Sequence, residues 1–240
     1  MTAADPRPRP PKTTPTRTAV AALLRKELLL ERRVPQVLPA MALFSVVTFV
    51  VFRFALDTTS VEGRTASGVL WVTLLFAAML GAGRLFVADH EEGGIDALLL
   101  APVDRTALLI AKAITFACFL ALVEVVAVPV FVVLLLEPGL SIADAGRLAL
   151  ILLLADIGIA VIGTLFGALA IQTRARDLIL PLMALPLLVP VVIMAAKATA
   201  PVLAVTGSGA PGGRYLAVLC LYDLVFGLLA YAVFDFLLDD

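Results

Sequence analysis

Three carboxylic acids, Glu124, Asp156 and Asp223, each interrupt a long apolar run. An ionised aspartate at the centre of a bilayer costs about 2.5–3.5 kcal/mol even on lenient scales. Such groups turn toward a bundle interior or an aqueous cavity. There they form a polar path or a subunit-interface switch, or, when protonated, donate a hydrogen bond between helices. Both readings stay open on the sequence. The other reactive residue types do not assemble. His90 is the single histidine, and Cys118 and Cys220, the only cysteines, sit inside apolar runs and read as packing residues. Neither set has metal-ligand spacing. No P-loop is present to cradle ATP phosphates. Gly207-Ser-Gly209-Ala-Pro-Gly212 matches a dinucleotide fingerprint letter by letter, but it stands in a Pro/Gly-rich loop with no strand before it and an apolar run after it. Without a nucleophile–base pair or metal cluster, the expectation is a chain that is not an enzyme, with no metal, no directly bound cofactor and no nucleic-acid partner.

The elements that position these acids follow from composition. Of 240 residues, 62% are hydrophobic and 15% charged, and the mean hydropathy is +1.07. Soluble domains carry about 45–50% apolar and about 25% charged residues, so the charges here are too few to cover a water-facing exterior. Gaps in the charge pattern mark six runs, Val34–Phe52, Thr65–Gly83, Ala113–Leu136, Leu148–Ile171, Leu178–Ala196 and Tyr215–Phe234. Each is long enough to cross a hydrocarbon core about 30 Å thick. Backbone polar groups must be satisfied internally there, so the runs predict helices. The fold class expected is all-α, a polytopic membrane protein. Pro35 and Pro39 fall at the start of the first run, where proline costs a helix least. Pro181, Pro186 and Pro190 interrupt the fifth.

Residues 1–18 are rich in Pro, Thr and Arg and read as a disordered tail. Residue types favour a helix from Thr16 to Arg33. Val20, Leu23, Leu24 and Leu28 form its apolar stripe, and Arg25, Lys26, Arg32 and Arg33 lie mostly off it. Residues 19–33 are therefore expected to lie as an amphipathic interfacial helix on the lipid bilayer, with 34–240 as the six-helix transmembrane domain. Thirteen of the 18 Lys and Arg residues fall before the first run or between the second and third or fourth and fifth; five fall on the other side. The positive-inside bias puts both termini in the cytoplasm.

The stretch Arg84 to Lys112 then lies on the cytoplasmic side. Its acids Asp89, Glu91 and Glu92 lead to Gly93-Gly94, where glycine lets the chain reverse. A short helix follows, with Asp96 near its positive end, Leu98 to Leu100 on its apolar side and Pro102 to stop it. Such a segment suits contact with a cytoplasmic partner; an elbow resting on lipid is the alternative. Gly163 and Gly167 have the small-xxx-small spacing of close helix packing. Packing inside the bundle is favoured over a homodimer contact.

The 84–112 stretch resembles the E-R-E-x-G-T-L-E-x-L-L-L-x-P loop of ABC-2 type exporter permeases. Arg174-Ala-Arg176, followed by the Leu- and Pro-rich segment to Pro190, narrows the resemblance to the haem exporter protein B (CcmB-like) family of cytochrome c maturation. It spans roughly residues 19–236, with departures at Gly83 and His90. The resemblance implies a permease subunit in the bacterial inner membrane. It implies a separate ABC ATPase subunit docking on Asp89, Glu91, Glu92, Gly93, Asp96, Leu98 and Pro102. It further implies haem-handling membrane subunits as partners, and haem as the cargo of the complex rather than a resident cofactor. A drug, lipid or polysaccharide permease, or a non-transporting scaffold for an ATPase, is the alternative.

Orientation is open to direct measurement. Single cysteines at Asp104 and Ser141, in a background lacking Cys118 and Cys220, are expected to label with impermeant maleimide from opposite faces of the membrane, position 104 from the cytoplasm. Labelling of both from one face would remove the six-span arrangement.

Overall fold

The computed structural model describes residues 16–56, 60–85, 105–136, 139–171, 176–204 and 212–237. Seven helices account for nearly all of them: α1 (Thr16–Arg33), α2 (Val37–Ala55), α3 (Gly63–Arg84), α4 (Arg105–Leu135), α5 (Ile142–Ile171), α6 (Arg176–Thr199) and α7 (Gly213–Leu237). No strand occurs among the described residues. Helices α2 to α7 are long and apolar enough to cross a membrane, as the charge gaps predict. Most outrun those gaps. The 31 residues of α4 extend about 46 Å, well past a hydrocarbon core, because helical hydrogen bonding continues into the polar flanks. The first span starts at Val37, three residues later than its apolar run, because Pro35 and Gln36 form the joint with α1. Pro39 stays within the first turn of α2, where the missing N–H has no intrahelical acceptor. The prolines of the fifth span do not break it, and α6 runs continuously through Pro181, Pro186 and Pro190.

Helices α3 and α5 form the centre. Within their spanning windows 72% and 67% of residues are buried, against 17% in α2 and 11% in α7. Small residues explain this placement, since they let neighbouring backbones approach closely. α3 presents Ala77, Ala78, Gly81 and Ala82, all buried; α5 presents Gly158, Gly163 and Gly167, likewise buried. The fully buried ring of Phe116 in α4 lies between two of these glycines. A Cβ at Gly163 would sit 2.6 Å from its Cε1 and one at Gly81 3.0 Å from its Cε2. Gly163 also faces Ala82 of α3, so its close contacts lie inside the bundle. The outer helices turn Leu43, Phe54, Leu122, Val125 and Leu224 outward, as suits lipid.

α1 is a separate helix packed along α4. It begins at Thr16, inside the stretch set aside as tail; residues 1–15 are outside the described residues. Its bond to the bundle is ionic. Lys112 Nζ of α4, almost fully buried, lies 2.9 Å from Glu27 Oε1 of α1 and donates to the Leu85 carbonyl at the end of α3, at 3.0 Å. One turn further along α1, Glu31 Oε1 accepts the backbone N–H groups of Gln36, Val37 and Leu38 at 3.1, 3.0 and 2.8 Å. These donors at the head of α2 have no intrahelical acceptor, and a carboxylate there also meets the positive end of the helix dipole.

At the opposite end the joints are backbone and hydroxyl contacts. Val61 N–H donates to Leu135 O and Gly63 N–H to Leu203 O, both at 2.9 Å. Gly63 has φ +53°, a conformation glycine adopts without strain. The buried Trp71 donates its Nε1–H to Thr199 Oγ1 at 3.0 Å. Ser141 and Asp144 cap α5 reciprocally: Asp144 N–H donates to Ser141 Oγ at 3.1 Å and Ser141 Oγ to Asp144 Oδ2 at 2.5 Å. Arg147 Nη1 closes the group on Asp144 Oδ1 at 2.8 Å.

The Lys112 joint predicts a specific failure. Lys112→Met leaves the Glu27 carboxylate and the Leu85 carbonyl short of their shared donor, and breaking a buried ion pair costs about 3–5 kcal/mol. Amide hydrogen exchange in α1 is expected to accelerate at least tenfold while α3 and α5 stay protected. The double substitution Glu27→Gln, Lys112→Met is expected to regain part of the protection, since no charge is then stranded. Unchanged exchange in the single variant would show that α1 is held by apolar packing alone.

Candidate functional site: carboxyl groups inside the helix bundle

The bundle brings two of the three intramembrane acids together and keeps the third apart. Glu124 projects from α4 and Asp156 from α5, and their carboxyl groups share a side-chain hydrogen bond. A carboxylate only accepts, so at least one member of the pair is protonated. Asp156 is buried and Glu124 half-buried. Both border a groove of about 640 Å³ between α4 and α5, whose other walls include Cys118, Ala121, Ala149 and Leu152. The small side chains come from helical spacing on both helices and open the space beside the acids.

Asp223 of α7 serves a different contact. Gly158 lies two residues beyond Asp156 on α5, about 200° around the helix, so it faces away from the groove. Asp223 packs onto it: a Cβ at Gly158 would sit 2.5 Å from Asp223 Oδ1, with Val191 of α6 at 3.6 Å. Asp223 is buried, and neither carboxylate oxygen has a hydrogen-bond partner among the described residues. Its neighbour Tyr222 donates its hydroxyl to the Leu187 carbonyl of α6 at 2.6 Å. Prolines at 181, 186 and 190 remove three N–H groups from α6, leaving carbonyls one turn earlier without their helical donors. The Leu187 carbonyl is not one of these, since its helical donor is Val191; the Tyr222 hydroxyl is a second bond on an oxygen with two lone pairs, and it ties α7 to α6.

The remaining site expectations fall unevenly. Asp89, Glu91, Glu92, Gly93, Asp96, Leu98 and Pro102, with His90 and Arg174, lie outside the described residues; Arg176 opens α6. What is described is the footing of that loop, where Lys112 ties its departing residue Leu85 to α4 and α1. Cys118 lines the groove. Cys220, expected to pack, is exposed on the outside of α7, facing where lipid would lie. No cluster of three or more His, Cys, Asp or Glu residues suited to a metal ion occurs among the described residues. Sequence reasoning missed the roles of Glu27, Glu31 and Lys112, which it treated as part of the basic flank or not at all. A signal was present, because Lys112 follows the apolar run Ala107–Ala111 and a cation in that setting needs a partner.

The Gly158 contact can be tested as packing. A methyl group at 158 must displace Asp223, and overpacking of this kind costs about 1–3 kcal/mol. Gly158→Ala is expected to lower the melting temperature of the detergent-solubilised protein, and Asp223→Ala in the same chain to recover more than half of the loss. Equal melting of Gly158→Ala and the parent would refute the contact.

The family model described as CcmB protein matches residues 18–236. Heme exporter protein B of Bradyrhizobium diazoefficiens is 31% identical over 216 residues, covering 90% of this chain and 96% of that protein. Heme exporter protein B of Rhodobacter capsulatus is 38% identical over 134 residues, 56% of this chain and 60% of the relative. The same-named protein of Pseudomonas aeruginosa is 31% identical over 177 residues, 73% and 78% of the two chains. With six spanning helices and a match along nearly its whole length, the chain belongs to the CcmB protein family.

Proposed function

We propose that this chain is the membrane-spanning permease subunit of a haem export complex serving cytochrome c maturation. The observation that carries the reading is the 216-residue match to a heme exporter protein B, which covers 96% of that relative. A shared loop alone would support only a generic exporter; a match over 90% of the chain takes in the helices that set the bundle's shape. In this reading ATP is hydrolysed by a separate subunit, since the chain carries no phosphate-cradling loop. The ATPase engages the segment from Asp89 to Pro102, on the cytoplasmic face that the Lys and Arg bias selects. Support comes from the anchoring of that segment: a docking loop transmits force only if its ends are fixed, and Lys112 fixes the α3 end to α4 and α1. Haem-handling membrane subunits complete the complex in the bacterial inner membrane, and haem is its cargo.

Deleting the gene in a strain with a single cytochrome c maturation system tests the reading. Covalent haem staining of denatured membrane proteins is expected to disappear, while the spectra of b-type haem persist, because b-type cytochromes need no covalent attachment outside the membrane. Normal c-type staining in the deletion strain would refute the maturation role and leave a six-span permease whose cargo is a lipid, drug or glycan.

A further inference from the structure

Three cations from three helices meet around one ring at the end of the bundle opposite Lys112. Arg214 Cζ lies 5.1 Å from the ring centre of Tyr215, in the first turn of α7, and Lys197 Nζ of α6 lies 5.8 Å from it. Arg214 Nη2 also donates to the Tyr215 hydroxyl at 3.2 Å. Arg64 of α3 is close enough for its charge to act on the same hydroxyl. The Gly63–Leu203 and Trp71–Thr199 bonds hold the head of α3 to the end of α6, so the gathering is built into the fold. It runs against local electrostatics. Like charges this near repel. Arg64 and Arg214 each stand second in their helices, where the positive end of the dipole disfavours a cation. Among the described residues no carboxylate is ion-paired with Arg64, Lys197 or Arg214, whereas Arg147 on the same side is closed on Asp144. Five Lys and Arg residues fall on this extracytoplasmic side, and three of them converge here. The chemistry missing from the cluster is an anion.

We infer that Arg64, Lys197 and Arg214 hold the phosphate of an anionic phospholipid in the outer leaflet, with its acyl chains along α6 and α7. The faces below the cations select a lipid over a soluble anion. Ile193, one turn before Lys197, and Val218 and Leu221, one and two turns after Arg214, are exposed on the same helix faces as the charges. A ligand with a charged head and hydrocarbon tails covers both parts, and a soluble anion meets the cations alone. Arginine offers phosphate oxygens a planar fork of donors and lysine a point charge. Basic side chains near a membrane surface attract anionic headgroups, and the amphipathic ring of Tyr215 suits headgroup level. The inference concerns the ends of α3, α6 and α7 and stands apart from the haem reading.

The experiment uses the full chain in phosphatidylcholine vesicles doped with a phosphatidylglycerol that carries a diazirine near the head of one acyl chain. Adducts formed on irradiation are mapped by mass spectrometry. They are expected to concentrate on residues 193–197 and 214–221, with a yield at least tenfold above that of phosphatidylcholine tagged in the same way. Replacing Arg64, Lys197 and Arg214 together by Gln is expected to cut the yield there at least fivefold, while Arg147→Gln, which removes a cation from the same face, holds it within twofold. Equal labelling by the two tagged lipids would overturn the proposal, and that comparison is made on the unaltered chain, whatever the folding of the variants. Labelling that survives the triple substitution would overturn it too. Glycerophosphoglycerol, the same headgroup without acyl chains, is expected to leave the yield unchanged; its abolishing the adducts when equimolar with the tagged lipid would assign the cluster to a soluble anion and overturn the lipid.

Discussion

A lysine that cannot reach water governs the geometry at one end of this protein. Lys112 of α4 is held by Glu27 of α1 and by the Leu85 carbonyl just past the end of α3, so one ammonium joins three helices. A buried ammonium left without acceptors is far costlier than the net worth of the pair, so the arrangement is close to obligatory: α1 must lie against α4, and α3 must end beside it. Glu31 carries the constraint onward by accepting three N–H groups of the next helix. Two acids one turn apart on α1 therefore convert an amphipathic segment, free in principle to drift on a membrane surface, into a fixed bracket around the first and third spans.

Inside the hydrocarbon the fold relies on shape. Lipid tails are as apolar as leucine, so helices there associate through close packing and occasional hydrogen bonds. The two glycines facing Phe116 and the alanines of α3 supply the close packing. The hydroxyl of Tyr222, the indole of Trp71 and the carboxyl pair supply hydrogen bonds between helices. The opposite end needs no buried cation because its chain turns satisfy one another's backbone, as Val61 does with Leu135 and Gly63 with Leu203.

Much of the fold was legible in the sequence because hydrocarbon imposes a one-dimensional rule: six charge-poor runs had to be helices. The bundle's order was not. Which helices occupy the centre depends on small residues at matched heights, and Gly81 and Gly163 reveal their common partner Phe116 only in three dimensions. The acids show the same limit. Their cost in lipid marked Glu124, Asp156 and Asp223 together, yet Glu124 and Asp156 meet while Asp223 rests against Gly158, a difference set by helix rotation that composition does not encode. Lys112 lay hidden for the opposite reason: counted as one more positive charge in a topology rule, it lost the information that it follows an apolar stretch of its own helix.

α4 connects these regions mechanically. Lys112, Phe116 and Glu124 lie on one helix whose only interior proline, Pro129, comes after them, so the segment joining them has the stiffness of unbroken helix. Phe116 sits about 6 Å along the axis from Lys112 and Glu124 about 12 Å further. At Phe116 there is no slack, since neighbouring glycines already stand where even a methyl group would clash; sliding α4 would drive the ring into α3 or α5, while tilting about it preserves the contact. Arg105, where the 85–105 segment joins α4, stands about 16 Å from Phe116 along the axis and Glu124 about 12 Å on the other side, so a tilt about Phe116 moves the two ends in opposite directions by comparable amounts. The foot of α4 and the acid pair are thus the two ends of one rigid rod held near its middle.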